Sequence, residues 1–373
     1  MTRIAQVANF VTPQSGGIRT VLAHLAAGYA GAGHEVLQVV PGAQRRRTAH
    51  EWGHQIEVPG TVLPGTGYRV MVPDAVWREL RVFAPERLEV HDRATLRGLG
   101  ARARREGIGS CVVSHERLDR LMEHWTRGRV PTRRLADASN RRLAAGFDTV
   151  VCTTPWAAEE FERLEPDNLR LVPLGVDHER FHPRTRDAAL RHRYAPSGGA
   201  LLVMAVRLSA EKRAGLGIDA VRELVRRGHP VRLVVAGDGP LRRRLERAAA
   251  ALPVTFLGHL PRARLAALLA TADVALAPGP VETFGLAALE ALACGTAVVA
   301  NERSALPSVL GAAGYPAAAD GAAFADAVER ALATPAEHRS LLARSRALEF
   351  DWARTVQGFL AVHGLAPPSA VAA

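Results

Sequence analysis

Short apolar runs alternate with longer amphipathic stretches through the first half of the chain. Apolar runs of this length are typical of strands buried on both faces, and the amphipathic stretches are typical of helices. The repeated order of strand, helix and strand favours a parallel sheet covered by helices on both sides. The predicted strands span residues 4–8, 35–40, 88–91, 110–114, 149–152 and 169–172.

The second half repeats this pattern, so we predict two doubly wound α/β domains. Its predicted strands span residues 200–206, 231–236, 254–257, 273–277 and 296–300. A segment rich in proline and charge separates the halves. The predicted division is a first domain over 1–175, a linker over 176–199, a second domain over 200–363 and a flexible tail over 364–373. If the two domains face each other, a ligand cleft is expected at the carboxyl ends of their strands.

The formal net charge of +11 predicts attraction to anions such as nucleic acid, acidic lipid head groups or phosphorylated ligands. Nucleic-acid binding is not expected, because aromatic residues are only 5% and no recognition motif for nucleic acid is present. Three scattered cysteines without a CxxC pair favour a reduced compartment. The sequence shows neither a signal-peptide pattern nor a bilayer-spanning window. We therefore expect a cytoplasmic protein whose membrane association, if any, is peripheral at the inner face.

Lys212, within RLSAEKRA, is the single lysine among 48 Lys and Arg residues. Heavy use of Ala, Arg, Gly and Pro indicates a GC-rich coding bias, under which a retained lysine is more informative than any one arginine. The compact ammonium of lysine and the planar guanidinium of nearby Arg207 are not interchangeable. This contrast singles Lys212 out as a functional candidate, with an ordinary surface lysine before a helix as the alternative.

The stretch PVETFGLAALEALACGTAVVA at 280–300 carries the strongest signal. A loop carries Glu282, a helix is predicted to start at Gly285, and Glu290 lies inside that helix. The helix start would be an anion site suited to a diphosphate. Its donors would be the backbone N–H groups of Thr283, Phe284, Gly285 and Leu286. The two carboxylates form an E-x7-E pair that does not share a helix face, so they could touch different parts of one extended ligand.

Taken together, these motifs resemble those of the large retaining glycosyltransferase family numbered four, which has the GT-B fold of two facing Rossmann-like domains with an interdomain cleft. The resemblance covers nearly the whole chain and includes SGGIRT, PLGVDHERFHP, RLSAEK and AGDGPLRRRLE beside the E-x7-E pair. One departure is Val206, which stands where the family usually has glycine before the arginine. A side chain at this position could narrow the space beside the diphosphate.

The resemblance implies roles for four residues of the second domain, which would be the nucleotide-sugar side. Glu290 would bind the ribose hydroxyls of a nucleotide sugar, and Glu282 with the amides after it would hold the sugar hydroxyls. Arg207 and Lys212 would hold the diphosphate and stabilise its growing negative charge as the glycosidic bond breaks.

The first domain would be the acceptor side. The resemblance implies that Gly16 and Gly17 let the N-terminal loop approach the diphosphate or the acceptor. The family's histidine at the position of His115 lies beside the donor sugar, so we expect a positioning role through a hydrogen bond to a sugar hydroxyl. A purely structural histidine is the alternative, and His91 with Asp92 could instead be the acceptor-side group.

Three segments, VSHERLDR, LEVHDRATLR and VCTTPWAAEEF, resemble a subgroup of GDP-mannose-dependent mannosyltransferases that act on phosphatidylinositol mannosides. This implies transfer of a hexose, mannose from GDP-mannose, to a hydroxyl of a glycolipid at an anionic membrane surface. Two alternatives stay open: a UDP-sugar-dependent glycosyltransferase acting on a small-molecule or natural-product acceptor, and a sugar-nucleotide epimerase. The basic run between Arg102 and Arg134 could meet anionic lipid or could be a solvated face.

No Asp-x-Asp occurs in the sequence, the triad with which the other large glycosyltransferase fold holds a metal against the diphosphate. Fixed positive groups and helix amides would take that role, so we expect neither a metal nor another cofactor. Because no nucleophilic carboxylate is evident, we favour same-face attack in which the departing phosphate takes the acceptor proton. The residues assigned to catalysis are His115, Arg207, Lys212 and Glu282.

Overall fold

The computed structural model describes residues 1–12, 16–64, 67–126 and 129–365, and the chain divides into two compact units. The first unit combines Met1–Gly175 with the C-terminal segment that begins at Trp352, and the second unit is Val176–Asp351. Each unit contains one large sheet with helices packed on it. The predicted α/β class with two Rossmann-like doubly wound domains is confirmed.

The large sheet of the first unit has eight strands in the order β10-β9-β8-β7-β1-β2-β4-β3. Neighbouring strands are parallel except for β3 with β4, and β5 and β6 form a separate antiparallel pair. The strands are β1 (Arg3–Val7), β2 (Glu35–Gly42), β3 (Arg46–His50), β4 (Gly53–Pro59), β5 (Thr61–Val62), β6 (Arg69–Val70), β7 (Arg87–Val90), β8 (Gly109–Ser114), β9 (Thr149–Cys152) and β10 (Leu169–Leu171).

Helices cover both faces of this sheet, because each strand exposes apolar side chains alternately to either side. On one face, Trp77 and Leu80 pack with strand residues such as Val7, Val90 and Val112 into a continuous apolar core. The helices are α1 (Gly17–Gly31), α2 (Pro73–Phe83), α3 (Leu99–Arg105), α4 (Leu118–Thr126), α5 (Thr132–Gly146) and α6 (Pro155–Glu162).

The sheet of the second unit has six parallel strands in the order β13-β12-β11-β14-β15-β16. Its strands are β11 (Ala200–Ala205), β12 (Val231–Ala236), β13 (Val254–Gly258), β14 (Val274–Ala277), β15 (Ala297–Asn301) and β16 (Gly314–Ala317). Its helices are α7 (Ala188–Tyr194), α8 (Gly215–Arg226), α9 (Arg242–Ala248), α10 (Arg262–Thr271), α11 (Leu286–Ala293), α12 (Leu306–Leu310), α13 (Gly321–Ala333) and α14 (Ala336–Ala347). Three short 3₁₀ turns span Pro183–Thr185, Ala210–Lys212 and Gly311–Ala313.

The last described helix, α15 (Trp352–Val362), belongs to the first unit, so the predicted second-domain limit at residue 363 is corrected to Asp351. The ring of Trp352 stacks on His24 with centroids 4.3 Å apart. A Cβ on Gly28 would lie only 2.3 Å from Val356, so glycine allows α15 to approach α1 closely. The apolar face of this helix is therefore buried against the N-terminal part of the chain.

Residues 176–199 are part of the second unit and are not a free linker, which corrects the second predicted boundary. The Asp187 carboxylate caps α7 by accepting hydrogen bonds from two backbone N–H groups. Arg191 donates to Asp273 at 2.5 Å and to the carbonyl of Gly199 at 2.9 Å. Phe181 is fully buried. Charged residues that suggested a linker therefore form a helix cap and an ion pair within a folded segment.

The predicted tail lies, after Leu365, outside the described residues. Among the helices that the structure describes, none is both long enough and apolar enough to cross a bilayer.

Candidate functional site

The candidate residues of the second unit lie on loops that leave two neighbouring strands at the same edge of the sheet. β11 pairs with β12 on one side and with β14 on the other, so the chain order reverses between β11 and β14. The carboxyl ends at such a reversal are the usual place for a ligand in open α/β sheets. The loop after β11 carries Arg207 and Lys212, and the loop after β14 carries Glu282.

Lys212 and Glu282 form an ion pair with 2.5 Å between Nζ and Oε1. Both side chains are partly exposed, at 29% and 18%. Lys212 ends a 3₁₀ turn, and the left-handed Arg213 that follows, with φ of 46°, stops the turn. The Glu282 carboxylate rests against Gly279, where a Cβ would lie 3.3 Å from Oε1. The structure thus brings the lysine and the loop carboxylate into direct contact.

Arg207 is held by its own loop. Its guanidinium donates to Oε1 of Glu211 at 2.9 Å, and the Ser209 hydroxyl donates to the same oxygen at 2.5 Å. Burial alone would raise the pKa of Glu211, but the hydrogen bonds from Ser209 and Arg207 outweigh burial and lower it. Arg207 is thus paired with Glu211, and Lys212 is paired with Glu282. Each of the two predicted diphosphate ligands therefore has a carboxylate partner.

Glycines after β12 shape the loop that carries Arg207. A Cβ on Gly237, with φ of 151°, would lie 1.9 Å from the Val206 carbonyl oxygen, and one on Gly239 would lie 2.5 Å from the Leu208 oxygen. Backbone hydrogen bonds join the two loops, including Leu208 N–H to the carbonyl of Asp238 at 2.9 Å. These glycines therefore allow the two loop backbones to approach each other closely, and the Val206 carbonyl lies at one of the points of contact.

Gly285 is the N-cap of α11 and has a left-handed backbone with φ of 78°. A Cβ at this position would lie 2.4 Å from Leu306 Cδ2, so both conformation and space require glycine. Phe284 is buried and meets the ring of Phe350 edge-on at 5.8 Å. Leu286 begins the helix, as predicted from the sequence. The assignment of the amides from Thr283 to Leu286 as an anion site stays a prediction.

Glu290 lies in the second turn of α11 and is 6% exposed. Its Oε1 accepts a hydrogen bond from Arg262 at 2.9 Å, and that guanidinium lies over the Phe181 ring at 5.0 Å. Burial raises the pKa of Glu290 to about 7, although Arg262 opposes the shift. The carboxylate therefore sits in a position where added hydrogen-bond donors, such as sugar hydroxyls, would favour its ionised form.

In the first unit, His91 follows β7 and His115 follows β8, so both lie at the carboxyl edge of the sheet. His91 Nδ1 and His115 Nε2 are 2.8 Å apart, and the two rings stack with centroids 5.1 Å apart. The other nitrogen of His91 lies 2.6 Å from the Glu89 carboxylate. Burial and the neighbouring His91 lower the pKa of His115 to about 3. The structure joins the two histidines that the sequence left as alternatives.

Gly16 and Gly17 lie at the start of α1, and residues 13–15 just before them are outside the described ranges. Gly16 has φ of −80°, and a Cβ at this position would meet no described residue within 4 Å. Neither backbone strain nor packing against the described residues therefore explains Gly16. The expected approach of a ligand to this turn stays a prediction.

The three segments that resemble the mannosyltransferase subgroup meet in one buried network. Arg93 donates to Glu160, to Asn140 and to the Ser114 hydroxyl, the last at 2.8 Å. The Glu160 carboxylate also accepts the backbone N–H groups of residues 118 and 119 at the start of α4. Another member, Arg117, donates to the backbone carbonyl of residue 156. These motif residues therefore fix the loop after His115.

Asp92, the other proposed acceptor-side group, is buried and accepts hydrogen bonds from the backbone N–H groups of Ala94 and Thr95. It stabilises the turn after β7. The sequence did not identify Glu89, Arg93 and Glu160 as residues that hold the loops and side chains around His91 and His115 in place. The available signal was a charged residue inside or beside an apolar strand, because a charge in such a position must find partners.

Within the described residues, one group of side chains brings possible metal ligands together: Glu89, Cys111 and His363, whose ligand atoms lie within 4.8 Å of one another. Both Glu89 oxygens already accept short hydrogen bonds, from Gln6 at 2.7 Å and from Tyr29 at 2.5 Å. Burial raises the pKa of the Cys111 thiol well above its ordinary value, which disfavours the thiolate that a metal prefers. Glu89 and His363 therefore belong to a buried hydrogen-bond network.

Residues 16–175 match the family described as Glycosyl transferase 4-like domain, and residues 199–334 match Glycosyl transferases group 1. A GDP-mannose-dependent alpha-(1-6)-phosphatidylinositol dimannoside mannosyltransferase of Mycobacterium tuberculosis (strain ATCC 25177 / H37Ra) is 48% identical, covering 97% of this chain and 96% of its own. A GDP-mannose-dependent alpha-mannosyltransferase of Mycobacterium tuberculosis (strain CDC 1551 / Oshkosh) is 31% identical, covering 80% of this chain and 79% of its own.

Among solved structures, a sucrose-phosphate synthase from Thermosynechococcus elongatus has a TM-score of 0.81 at 20% identity and covers 98% of both chains. At this level of identity the likeness concerns the fold alone. One relative shares nearly half of its residues over almost the whole chain, and both halves match glycosyltransferase families. The chain therefore belongs to the glycosyltransferases of family four, which have the GT-B fold.

Proposed function

We propose that this glycosyltransferase moves mannose from GDP-mannose to a hydroxyl of a phosphatidylinositol mannoside. The observation that carries the proposal is 48% identity over 97% of the chain to an enzyme named for that donor and for phosphatidylinositol dimannoside. The residues assigned from the sequence support donor binding through the contacts described above. A UDP-sugar donor with another acceptor is the competing function.

Lys212 and Arg207 would hold the diphosphate. Each cation is now neutralised by a carboxylate, Glu282 for the lysine and Glu211 for the arginine. Phosphate oxygens are strong acceptors for charged donors, so an arriving diphosphate would compete for the same N–H groups. As the glycosidic bond breaks, negative charge grows on the departing diphosphate, and fixed cations stabilise this charge more than that of the bound donor.

Glu282 would hold the transferred sugar. When the diphosphate binds Lys212, the Glu282 carboxylate loses its ion-pair partner and can accept hydrogen bonds from sugar hydroxyls. Glu290 would accept hydrogen bonds from the ribose hydroxyls in addition to the one it accepts from Arg262. In the first unit, His115 would accept a hydrogen bond from a hydroxyl of the donor sugar.

The proposed reaction forms a bond between the acceptor oxygen and the anomeric carbon and breaks the bond from that carbon to the β-phosphate oxygen. The acceptor proton passes to the departing phosphate, on the same face of the sugar, so the anomeric configuration is retained. Positive side chains and backbone amides would stabilise the leaving group without a metal ion. Activity that is unaffected by a strong chelator is the corresponding expectation.

We also propose that the enzyme meets its lipid acceptor through a surface at the end of α4 and the start of α5. This α4–α5 surface combines exposed apolar side chains with exposed cations. Its members are Trp125, Arg129, Val130, Arg133, Arg134 and Leu135. Trp125 is 61% exposed and Leu135 is 47% exposed. Apolar side chains beside arginines are typical of peripheral contact with anionic lipid.

Two other arginines of the predicted basic run, Arg102 and Arg104, differ from this surface because each is paired with a carboxylate. Arg102 donates to Asp74 at 2.7 Å and lies over the Trp77 ring, and Arg104 pairs with Asp148 at 3.4 Å. Arg127 lies outside the described residues. The lipid-binding proposal therefore rests on the α4–α5 surface.

The test of donor and acceptor uses the purified full-length protein with GDP-mannose, UDP-glucose or no donor, and with phosphatidylinositol dimannoside in vesicles. Mass spectrometry of the lipid fraction is expected to show the addition of one hexose with GDP-mannose alone. Addition with UDP-glucose instead would establish the competing donor. Consumption of a sugar nucleotide without any acceptor would establish an epimerase or hydrolase in place of a transferase.

A further inference from the structure

Arg262, the first residue of α10, donates a hydrogen bond to Oε1 of Glu290 at 2.9 Å. The Glu290 side chain is 8% exposed and that of Arg262 is 35% exposed, so the carboxylate is nearly buried while the guanidinium reaches solvent. Among the described residues, no second group donates a hydrogen bond to Glu290. An ionised carboxylate can accept about four hydrogen bonds, so the contact with Arg262 uses only part of that capacity.

The position of Arg262 is unfavourable for α10 itself. The N-terminus of a helix carries partial positive charge, which favours acidic residues in the first turn and disfavours cations. The first turn of α10 contains no acidic residue and two arginines, Arg262 and Arg264. Helix stability therefore does not explain Arg262, whereas its contact with a nearly buried carboxylate does.

The guanidinium of Arg262 is held by a second contact. It lies over the ring of Phe181, 5.0 Å from the ring centre, a distance at which a cation is attracted to an aromatic face. Phe181 is fully buried, its N–H donates to the carbonyl of Asp177 at 2.9 Å, and its carbonyl accepts from Arg344 at 3.1 Å. The fixed ring and the carboxylate together hold the guanidinium in one orientation.

Arg262 also affects the charge of Glu290. Burial is the largest influence on the pKa of Glu290, which is raised to about 7. Arg262 opposes this rise more than Arg180 does, and Asp177 adds to it. Without Arg262 a larger share of the carboxyl would be protonated at neutral pH, and a protonated carboxyl is a poorer acceptor. The arginine therefore favours the form of Glu290 that accepts hydrogen bonds.

We propose that Arg262 is a positioning residue that holds the Glu290 carboxylate so that both hydroxyls of a ribose donate to it, and that the enzyme thereby selects ribonucleotide donors. The inference rests on the proposed contact between Glu290 and the ribose. Arg262 itself needs no contact with the donor. It also offsets the repulsion between the carboxylate and the diphosphate of the same ligand, because the ion pair carries no net charge.

The direct test compares GDP with 2′,3′-dideoxy-GDP, which lacks both ribose hydroxyls, in calorimetric titrations of the full-length protein at pH 8. The wild type is expected to bind GDP about 100-fold more tightly, because hydrogen bonds to a charged acceptor are among the stronger ones. Arg262→Met removes the guanidinium but keeps an unbranched side chain against Phe181, and should reduce this preference to about tenfold or less.

Arg227→Met is the matched control. Arg227 is a partly exposed arginine of the same unit, 25% exposed, that pairs with Glu223 and Glu329. Its replacement should leave the preference for GDP at the wild-type value. Glu290→Gln is the reference for a lost ribose contact. Arg262→Met should reduce the preference no further in the Glu290→Gln background, because it acts through Glu290.

Transfer kinetics with GDP-mannose give a second readout. Arg262→Met should raise the donor KM by about tenfold with little change in kcat, because the ribose is remote from the bond that breaks and is held equally in the bound donor and the transition state. A general loss of structure would instead lower the active fraction, and therefore kcat, at unchanged KM. Arg262→Gln, which is also uncharged, gives the same measurements if Arg262→Met does not fold.

An unchanged preference for GDP over 2′,3′-dideoxy-GDP in folded Arg262→Met would overturn the inference, as would equal weakening of both ligands. A further loss of preference on adding Arg262→Met to Glu290→Gln would also overturn it, because Arg262 would then act without Glu290.

Wild-type protein that binds the two ligands equally would remove the proposed contact between Glu290 and the ribose, and the inference with it. A wild-type preference that Glu290→Gln abolishes and Arg262→Met leaves intact would keep that contact and refute only the role of Arg262. The failure of the inference and the failure of the proposed ribose contact are therefore distinguishable.

Discussion

The ammonium of Lys212 lies 2.5 Å from the carboxylate of Glu282, although 70 positions separate the two residues in the chain. They meet because β11 and β14 are neighbours in the sheet of the second unit and both loops leave the same edge. The contact joins the only lysine of the sequence to the first carboxylate of the E-x7-E pair. It pairs a cation suited to a departing diphosphate with an acceptor suited to sugar hydroxyls.

Removal of the ammonium in Lys212→Ala is expected to lower kcat by about 100- to 1000-fold. The loss of one fixed hydrogen-bond donor that stabilises negative charge in the transition state usually slows an enzyme by roughly this factor. The melting temperature should stay close to that of the wild type, since a partly exposed ion pair adds little stability. Steady-state kinetics and thermal melts check both statements. Lys212→Arg should also be impaired, because a planar fork does not replace a compact ammonium.

The control for that variant is Arg222→Ala on the exposed face of α8, which also removes one positive charge. It should leave kcat unchanged. Equal losses in the two variants would mean that net charge, and not the position of Lys212, determines the rate.

Gly285→Ala is expected to destabilise the protein by about 2 kcal/mol or more. An alanine must adopt φ of 78°, which costs about 1–2 kcal/mol, and its Cβ would lie 2.4 Å from Leu306. Urea unfolding measures the loss as a lower midpoint. A midpoint equal to that of the wild type would contradict the left-handed cap.

Gly16→Ala should behave in the opposite way. Its backbone already has φ of −80°, and a Cβ would meet none of the described residues within 4 Å, so the urea midpoint should not change. If a ligand approaches this turn, as the family resemblance implies, turnover should nevertheless fall. Unchanged turnover together with unchanged stability would show that Gly16 has no role in binding.

Glu290 should make stability depend on pH. Its pKa is about 7 in the folded protein and about 4.5 when unfolded, so the folded state binds more protons between these values. The free energy of unfolding should therefore fall as pH rises from 4.5 to 7, by at most about 3 kcal/mol. Glu290→Gln lacks this group and should gain stability relative to the wild type at pH 8 but not at pH 5. Urea unfolding at both values measures the difference.

The exposed carboxylate Glu302 is the control, and Glu302→Gln should show no such pH-dependent gain. Binding of a donor whose ribose hydroxyls donate to Glu290 favours the ionised form. Affinity for GDP should consequently rise from pH 6 to pH 8 in the wild type and not in Glu290→Gln. A flat pH profile for both proteins would argue against this contact.

The α4–α5 surface should bind vesicles that contain anionic lipid and not vesicles of neutral lipid. Replacement of Arg129, Arg133 and Arg134 by Gln should weaken binding by about 100-fold. Each basic residue near an anionic membrane surface contributes roughly 1 kcal/mol to the binding free energy, and three are removed. The matched control replaces Arg243, Arg244 and Arg247, three exposed arginines on α9. Sedimentation with vesicles measures both variants. Equal weakening by the two triple changes would mean that binding follows net charge and not this surface.

The sequence was sufficient to predict both doubly wound units and the start of α11 at Gly285, because strand and helix periods and glycine caps are local signals. The contact between Lys212 and Glu282 was not predictable from physical chemistry alone. Strands that are neighbours in a sheet need not be neighbours in the sequence, as β11 and β14 show. The family resemblance supplied the idea that both residues contact one donor. The identity of that donor stays a proposal.

Other features depend on tertiary partners that no local pattern reveals. The helix Trp352–Val362 has an ordinary amphipathic pattern, but its return to the first unit follows from the fit of Val356 against Gly28. The sequence of strand β3 resembles that of a polar loop, because most of its residues are exposed and have no apolar pattern. Glu89 lies inside a predicted strand, and nothing in the sequence shows that the fold surrounds its carboxylate with four donors. In each case the sequence does not show which distant residues the fold brings into contact with the element.

Calorimetric titration of GDP and UDP into wild-type and Lys212→Ala protein tests whether the loops after β11 and β14 hold a guanosine diphosphate sugar. We predict tight binding of GDP, weaker binding of UDP, and a loss of GDP affinity of at least tenfold in the variant, which corresponds to about 1.4 kcal/mol. Identical GDP affinity in the wild type and in a folded Lys212→Ala variant would contradict the claim. So would the absence of any measurable GDP binding by the wild type.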